Sequence, residues 1–166
     1  MSDDLFRPSV EQTLRSPARR RPWDKDYSVL VGLFGGLWAL AAVTLLNMHR
    51  LGMDARAQLA RVLGSTVVTW LVVSAVGIAL LVLWGPDRLL VSRIRLGYRF
   101  AAMLLALLHM RWQIPGERHY ELAHGDESYA SLWGPGIVAV IGGTLLQDLM
   151  FGTVAMPLAW TLVDEP

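Results

Sequence analysis

Nineteen consecutive residues, 66–84 (TVVTWLVVSAVGIALLVLW), contain neither a charge nor a proline. As a helix rising about 1.5 Å per residue, this run nearly matches the ~30 Å hydrocarbon thickness of a bilayer. A helix packed on a water-soluble core keeps one polar face. This run keeps none: its hydroxyls, Thr66, Thr69 and Ser74, can bond back to the preceding turn. The run reads as a membrane-crossing helix, and the rest of the chain is read around it. Only 17% of the residues are charged, against roughly 25% in a soluble domain, which fits a chain solvated largely by lipid. The 166 residues leave room for one unit of three or four such helices and no separate catalytic domain. Cysteine is absent, which excludes disulfides and thiolate chemistry.

Residues 1–27 form a polar arm with six basic residues, five acidic residues and three prolines. Arg19, Arg20 and Arg21 stand just before the first apolar run, where they can hold anionic headgroups. That run, about 28–47, carries Gly32, Gly35, Gly36 and Ala39 at helical spacings of three and four. Small residues so spaced make a strip that a neighbouring helix backbone can approach closely. The strip predicts a helix-packing interface, with the chain's own helices or with a partner. After Gly52, Asp54 can cap a helix over 55–63 that continues into the central span.

Gly85-Pro86-Asp87 ends the central helix and starts another, at about 87–112. Arg88, Arg95 and Arg99, seven and four residues apart, share one face of it, opposite Leu90, Ile94 and Ala101. Its uncharged part, 100–110, covers only about half a bilayer. The segment therefore reads as amphipathic or half-inserted, its arginines at lipid headgroups. Residues 114–133 read as a polar loop, followed by a last span at about 137–163 and a short tail, 164–166. Three crossings put twelve Lys/Arg on the arm side and three on the other, whereas four crossings give ten and five. The first split follows the positive-inside rule more closely. The expected fold is thus all-α: three full transmembrane helices plus one amphipathic helix, four spans being the alternative, with residues 28–163 as a single domain.

Gln147 and Asp148 stand out as intramembrane polar residues. A carboxylate deep in a span costs about 2.5–3.5 kcal/mol on insertion scales, so it needs a partner or water. The pair reads either as a proton- or ion-handling site or as a structural tie to a neighbouring helix. His119, Glu121 and His124 form the best candidate for metal ligation, but two histidines five apart do not share a helix face and match no zinc spacing. No phosphate-cradling glycine loop, nucleophile elbow or acid/base carboxylate pair is present. No catalytic residue and no cofactor are therefore expected, and nucleic acid is not expected as a partner.

Tyr27-Ser28, Phe34-Gly35-Gly36, Asn47 with Arg50-Leu51-Gly52, and later His124-Gly125 with Ser131-Leu132-Trp133 together resemble a loose group of small uncharacterised bacterial multi-span membrane proteins. No proline follows Gly36, and Asp126 stands where that group has a second glycine. The resemblance implies a bacterial inner (plasma) membrane protein and transfers no functional residues. With the N-terminus cytoplasmic, three functions are weighed. The first is a non-enzymatic accessory or scaffold subunit that binds other membrane subunits, or itself, through small-residue helix faces. The second is a small transporter or channel component using Asp148, and the third a membrane-bound metal enzyme.

Overall fold

The structure, a computed structural model, describes residues 21–85, 87–124 and 129–155 together with 157 and 161. Among them are four α-helices: α1 (Tyr27–Arg50), α2 (Ala55–Trp84), α3 (Arg88–His124) and α4 (Trp133–Met150), the last extended by a π-helical turn, Phe151–Ala155. Three of these, α1, α2 and α4 with its extension, are long and apolar enough to cross a membrane. The chain is an all-α, membrane-embedded protein.

Local chemistry sets the boundaries. Gly52 and Gly85 take positive φ angles, +74° and +78°, just past the ends of α1 and α2, where left-handed backbone suits glycine. Asp54 caps α2 by accepting a hydrogen bond from the Arg56 amide at 3.1 Å. Residues 55–63 do run into the central span as one helix. Thr66 and Thr69 bond back to the carbonyls four residues earlier, while Ser74 instead meets the Tyr98 hydroxyl on α3 at 2.6 Å.

Two elements differ from expectation in extent. α3 continues to His124 through Pro115, where a loop was expected. Tertiary contacts override the local break: Gln113 and Glu117 are buried, and Gly116 lies against Met53 and Leu51. α3 runs antiparallel to α2 where they meet, pairing Tyr98 with Ser74 and His109 with Ser65. It is therefore packed into the bundle. α4 begins at Trp133, ahead of the expected 137, because Pro135 falls in the first turn, where an amide has no helical partner to lose.

The path of α1 was not foreseen. Gly36 has φ +74° and ψ −165° inside it, a combination open essentially to glycine alone. The Trp23 amide donates to Asn47 Oδ1 at 2.7 Å, and Asn47 Nδ2 returns a bond to the Trp23 carbonyl at 3.0 Å. A straight helix would separate the two ends of α1 by about 35 Å, and the four residues from Trp23 to Tyr27 span at most about 14 Å. The chain therefore reverses at Gly36 into two arms, 27–35 and 37–50, whose open ends lie together. Trp23, Val31, Ala39, Val43 and Leu132 pack into one cluster between them. At one end of the bundle are Trp23, the 51–54 connection, the end of α3 and the start of α4. At the other are the α2–α3 turn and the end of α4.

Candidate functional site at the bend of α1

The bend can exist only where side chains are missing. A Cβ on Gly35 would fall 2.7 Å from the Val140 Cα, and one on Gly143 would fall 2.7 Å from both the Ala39 amide nitrogen and the Gly35 carbonyl oxygen. α4 is thus pressed against both arms near their junction. On the opposite flank, Gly32 faces the Ala102 carbonyl of α3, to which a Cβ would come within 3.1 Å. All four residues of the predicted strip, Gly32, Gly35, Gly36 and Ala39, are buried within this chain.

Interrupting a helix strands backbone groups that must find other partners. Thr144 of α4 supplies one, donating its hydroxyl to the Phe34 carbonyl at 3.2 Å. Gln147, 8% exposed, lies directly against Gly36, where a Cβ would sit 2.0 Å from its Oε1. That oxygen is buried and has no hydrogen-bond partner, an arrangement that costs about 1–3 kcal/mol unless something donates to it. Beside it is a cavity of about 60 Å³ lined by Phe34, Gly35, Gly36, Arg95, Arg99, Thr144, Gln147 and Asp148.

The lining is electrostatically lopsided. Arg95 Nε lies 3.6 Å from Asp148 Oδ1, with the two side chains 53% and 47% exposed. Among the described residues Arg99 has no carboxylate at salt-bridge distance. The arm 37–50 also starts here, so the positive end of its dipole points toward the bend. The net character is cationic. Two independent rulers locate the site along the bundle. On α2, whose residues 62–84 are uncharged, the level of Tyr98 is marked by Ser74, near the middle of that stretch. On α4, Asp148 lies about one turn past the middle of the apolar helix Trp133–Val154. Asp148 and Gln147 are thus brought together with groups whose roles the sequence reading missed: Thr144, the ion-pair partner Arg95, and the bend itself.

A second polar cluster closes the opposite end. Asn47 Nδ2 also donates to Gln113 Oε1 at 2.7 Å, and His109 lies 3.2 Å from the Thr44 hydroxyl and 3.0 Å from that of Ser65. The Arg50 guanidinium stacks 3.8 Å above the Trp23 ring and donates to the Arg21 carbonyl. Lys25 pairs with the buried Glu117. Burial alone would lower the Lys25 pKa, but the hydrogen bond and charge of Glu117 raise it above its ordinary value. Burial pushes the Glu117 carboxyl up, against the pull of Lys25. Every member of this cluster is satisfied from within the chain, which makes it a clasp for the arm ends.

The remaining candidates are dispersed. His119 is exposed, and Glu121 accepts a bond from the Tyr129 hydroxyl at 2.8 Å. The His124 side chain, like Arg19, Arg20 and Trp160, lies outside the described residues. Among the described residues no three metal-capable side chains converge on one point. Arg88 is exposed beside the α2–α3 turn, well separated along the chain from Arg21. Compared with protein-family models, curated proteins and solved structures, the chain matches none.

Proposed function

We propose that the protein is a component of a small transporter or channel that handles a polar solute or ion at the bend of α1, with Gln147 and Asp148 in the working site. The observation that carries this reading is the coincidence of a broken helix with a charged cavity, level with the middle of two apolar helices. In a bilayer, irregular backbone is tolerated where it is buried in protein or lines a cavity. Half-helices meeting near the midplane are a recurrent way of exposing backbone groups to a solute. On this reading α2, α3 and α4 cross the inner (plasma) membrane, and α1 dips in from one face and returns. Of the fifteen Lys/Arg, Arg88 and Arg93 belong to the end away from the arm, while Arg95 and Arg99 lie at the cavity, so the positive-inside rule puts the N-terminus on the cytoplasmic side. The test is proton and ion flux into liposomes holding the purified protein. Asp148→Asn should reduce flux at least tenfold while leaving the thermal midpoint within a few degrees. Unchanged flux would reject the proposal.

A second reading, an accessory subunit of a membrane assembly, draws on the half exposure of Arg95 and Asp148. A charge pair at that depth is poorly solvated by lipid tails, and a neighbouring subunit or second copy laid over this face of α3 and α4 would shield it. The small-residue strip is already occupied by α3 and α4, so this face takes its place as the expected interface. Mild solubilisation followed by native mass measurement tests it, and recovery of a lone monomer would count against it.

A further inference from the structure

We infer that the groove between α2 and α3, close to their connecting turn, binds an anionic phospholipid, with one acyl chain in the groove and the phosphate against Arg93. This site is separate from the bend of α1 and does not depend on a solute there. The floor of the groove is the contact between the two helices. Gly77 lets Ile94 come so near that a Cβ on the glycine would fall 2.9 Å from the Ile94 Cγ2. Leu90 and Ile94 are buried, whereas Val76 and Trp84 are exposed, so the groove opens outward to the bilayer. Gly97 of α3 also lines it, and a Cβ there would meet nothing within 4 Å.

Charge and depth select the occupant. Arg93 is the only charged side chain among the residues that line the groove. It is exposed, and among the described residues no carboxylate lies at salt-bridge distance from it. The groove runs from Trp84, at the end of an apolar span, to Val73, beside Ser74 and so level with Tyr98. That stretch covers about 16 Å of helix axis, about half of the ~30 Å hydrocarbon thickness. It is the depth of one leaflet, and an acyl chain covers the same distance. Trp84 stands at the interfacial end, where tryptophan is favoured. The Arg93 backbone lies about 7 Å from the level of Tyr98 toward the turn, and its long stem can carry the guanidinium on to the headgroups. A hydrocarbon tail alone would leave Arg93 uncompensated, and a soluble phosphate would leave the apolar floor bare. A zwitterionic lipid balances its own phosphate, whereas an anionic one brings the net charge that Arg93 lacks. A second copy laid groove to groove would set Arg93 against Arg93.

The experiment uses the full chain in uncharged detergent micelles, with native mass spectra recorded as phosphatidylglycerol or phosphatidylcholine of equal chain length is added. The wild-type protein should show a saturable phosphatidylglycerol site that binds roughly fivefold more tightly than phosphatidylcholine, the selectivity of one basic residue near a membrane surface. Arg93→Gln should abolish that preference. Gly97→Leu, which fills the groove from a position with open space, should weaken phosphatidylglycerol binding at least tenfold. Its thermal midpoint without lipid should be no lower than that of the wild type, because leucine suits a helix better than glycine. Because Arg93 is exposed, its variant keeps the test decisive if Gly97→Leu does not fold. Equal binding of the two lipids by the wild type, or an unchanged preference in Arg93→Gln, overturns the inference. So does phosphatidylglycerol binding that survives in folded Gly97→Leu. Displacement of the lipid by inorganic phosphate would reveal a site for the headgroup anion alone, and a dimer that excludes lipid would reveal a protein contact; either result also overturns it.

Discussion

Three glycines separate the contributions that hold α1 in its bent path. Gly142 lies in α4 with open space where its Cβ would be. Gly142→Ala should therefore stabilise by about 0.5–1 kcal/mol, the usual helix preference for alanine. Gly85 also has open space but sits at φ +78°, so Gly85→Ala carries backbone strain alone, about 1–3 kcal/mol. Gly36 combines the same strain, at φ +74°, with a contact 2.0 Å from Gln147 Oε1. Moving a buried side chain aside adds about 1–3 kcal/mol, so Gly36→Ala should destabilise by about 2–6 kcal/mol. The assay is equilibrium unfolding in mixed micelles, read by tryptophan fluorescence. If Gly36→Ala is as stable as Gly142→Ala, the chain does not turn there. A distance measurement gives an independent check. Spin labels at the exposed positions Leu30 and Leu46 would be about 24 Å apart along a straight helix. They should be markedly closer in the wild-type protein.

Asn47→Ala removes three bonds that Asn47 makes to Trp23 and Gln113 and leaves the buried Trp23 amide unpaired, so it should destabilise by about 2–4 kcal/mol. The freed indole should show a red-shifted emission. Thr144→Val strands the Phe34 carbonyl and should lose about 1 kcal/mol in the same unfolding assay. Lys25, its pKa raised in the folded state by Glu117, contributes stability that is complete below its ordinary 10.5 and is lost as pH climbs through the higher folded value. Glu117→Gln removes the cause of that raised value, so it should lower the thermal midpoint at neutral pH and flatten the alkaline fall.

The helical class was legible because charge-free runs the length of a bilayer have few other solutions, and 66–84 is such a run. The reversal of α1 was not, because two short apolar arms have the same composition as one long span. Gly35-Gly36 reads as a packing strip in either case, and only the contact between Trp23 and Asn47 reveals the fold-back. Pro115 misled for the opposite reason: a local helix breaker was overruled by the burial of Gln113 and Glu117, which depends on residues far off in sequence. Asp148 could be singled out because a lone carboxylate in an apolar run is costly wherever it sits. Its partner Arg95 looked like a headgroup ligand until the level of α3 within the bundle was known.

The closeness of α1 to α3 and α4 has a consequence for how the protein is made. α1 is synthesised before either helix that covers its bend, and its 24 residues are apolar enough to pass for an ordinary span. The surfaces that hold Gly36 in its reversed geometry, Val140, Gly143 and Gln147, arrive last. The first apolar segment therefore waits for the last one, and a chain interrupted before α4 keeps the contact of Gly32 with α3 but lacks the surface that covers Gly35 and Gly36.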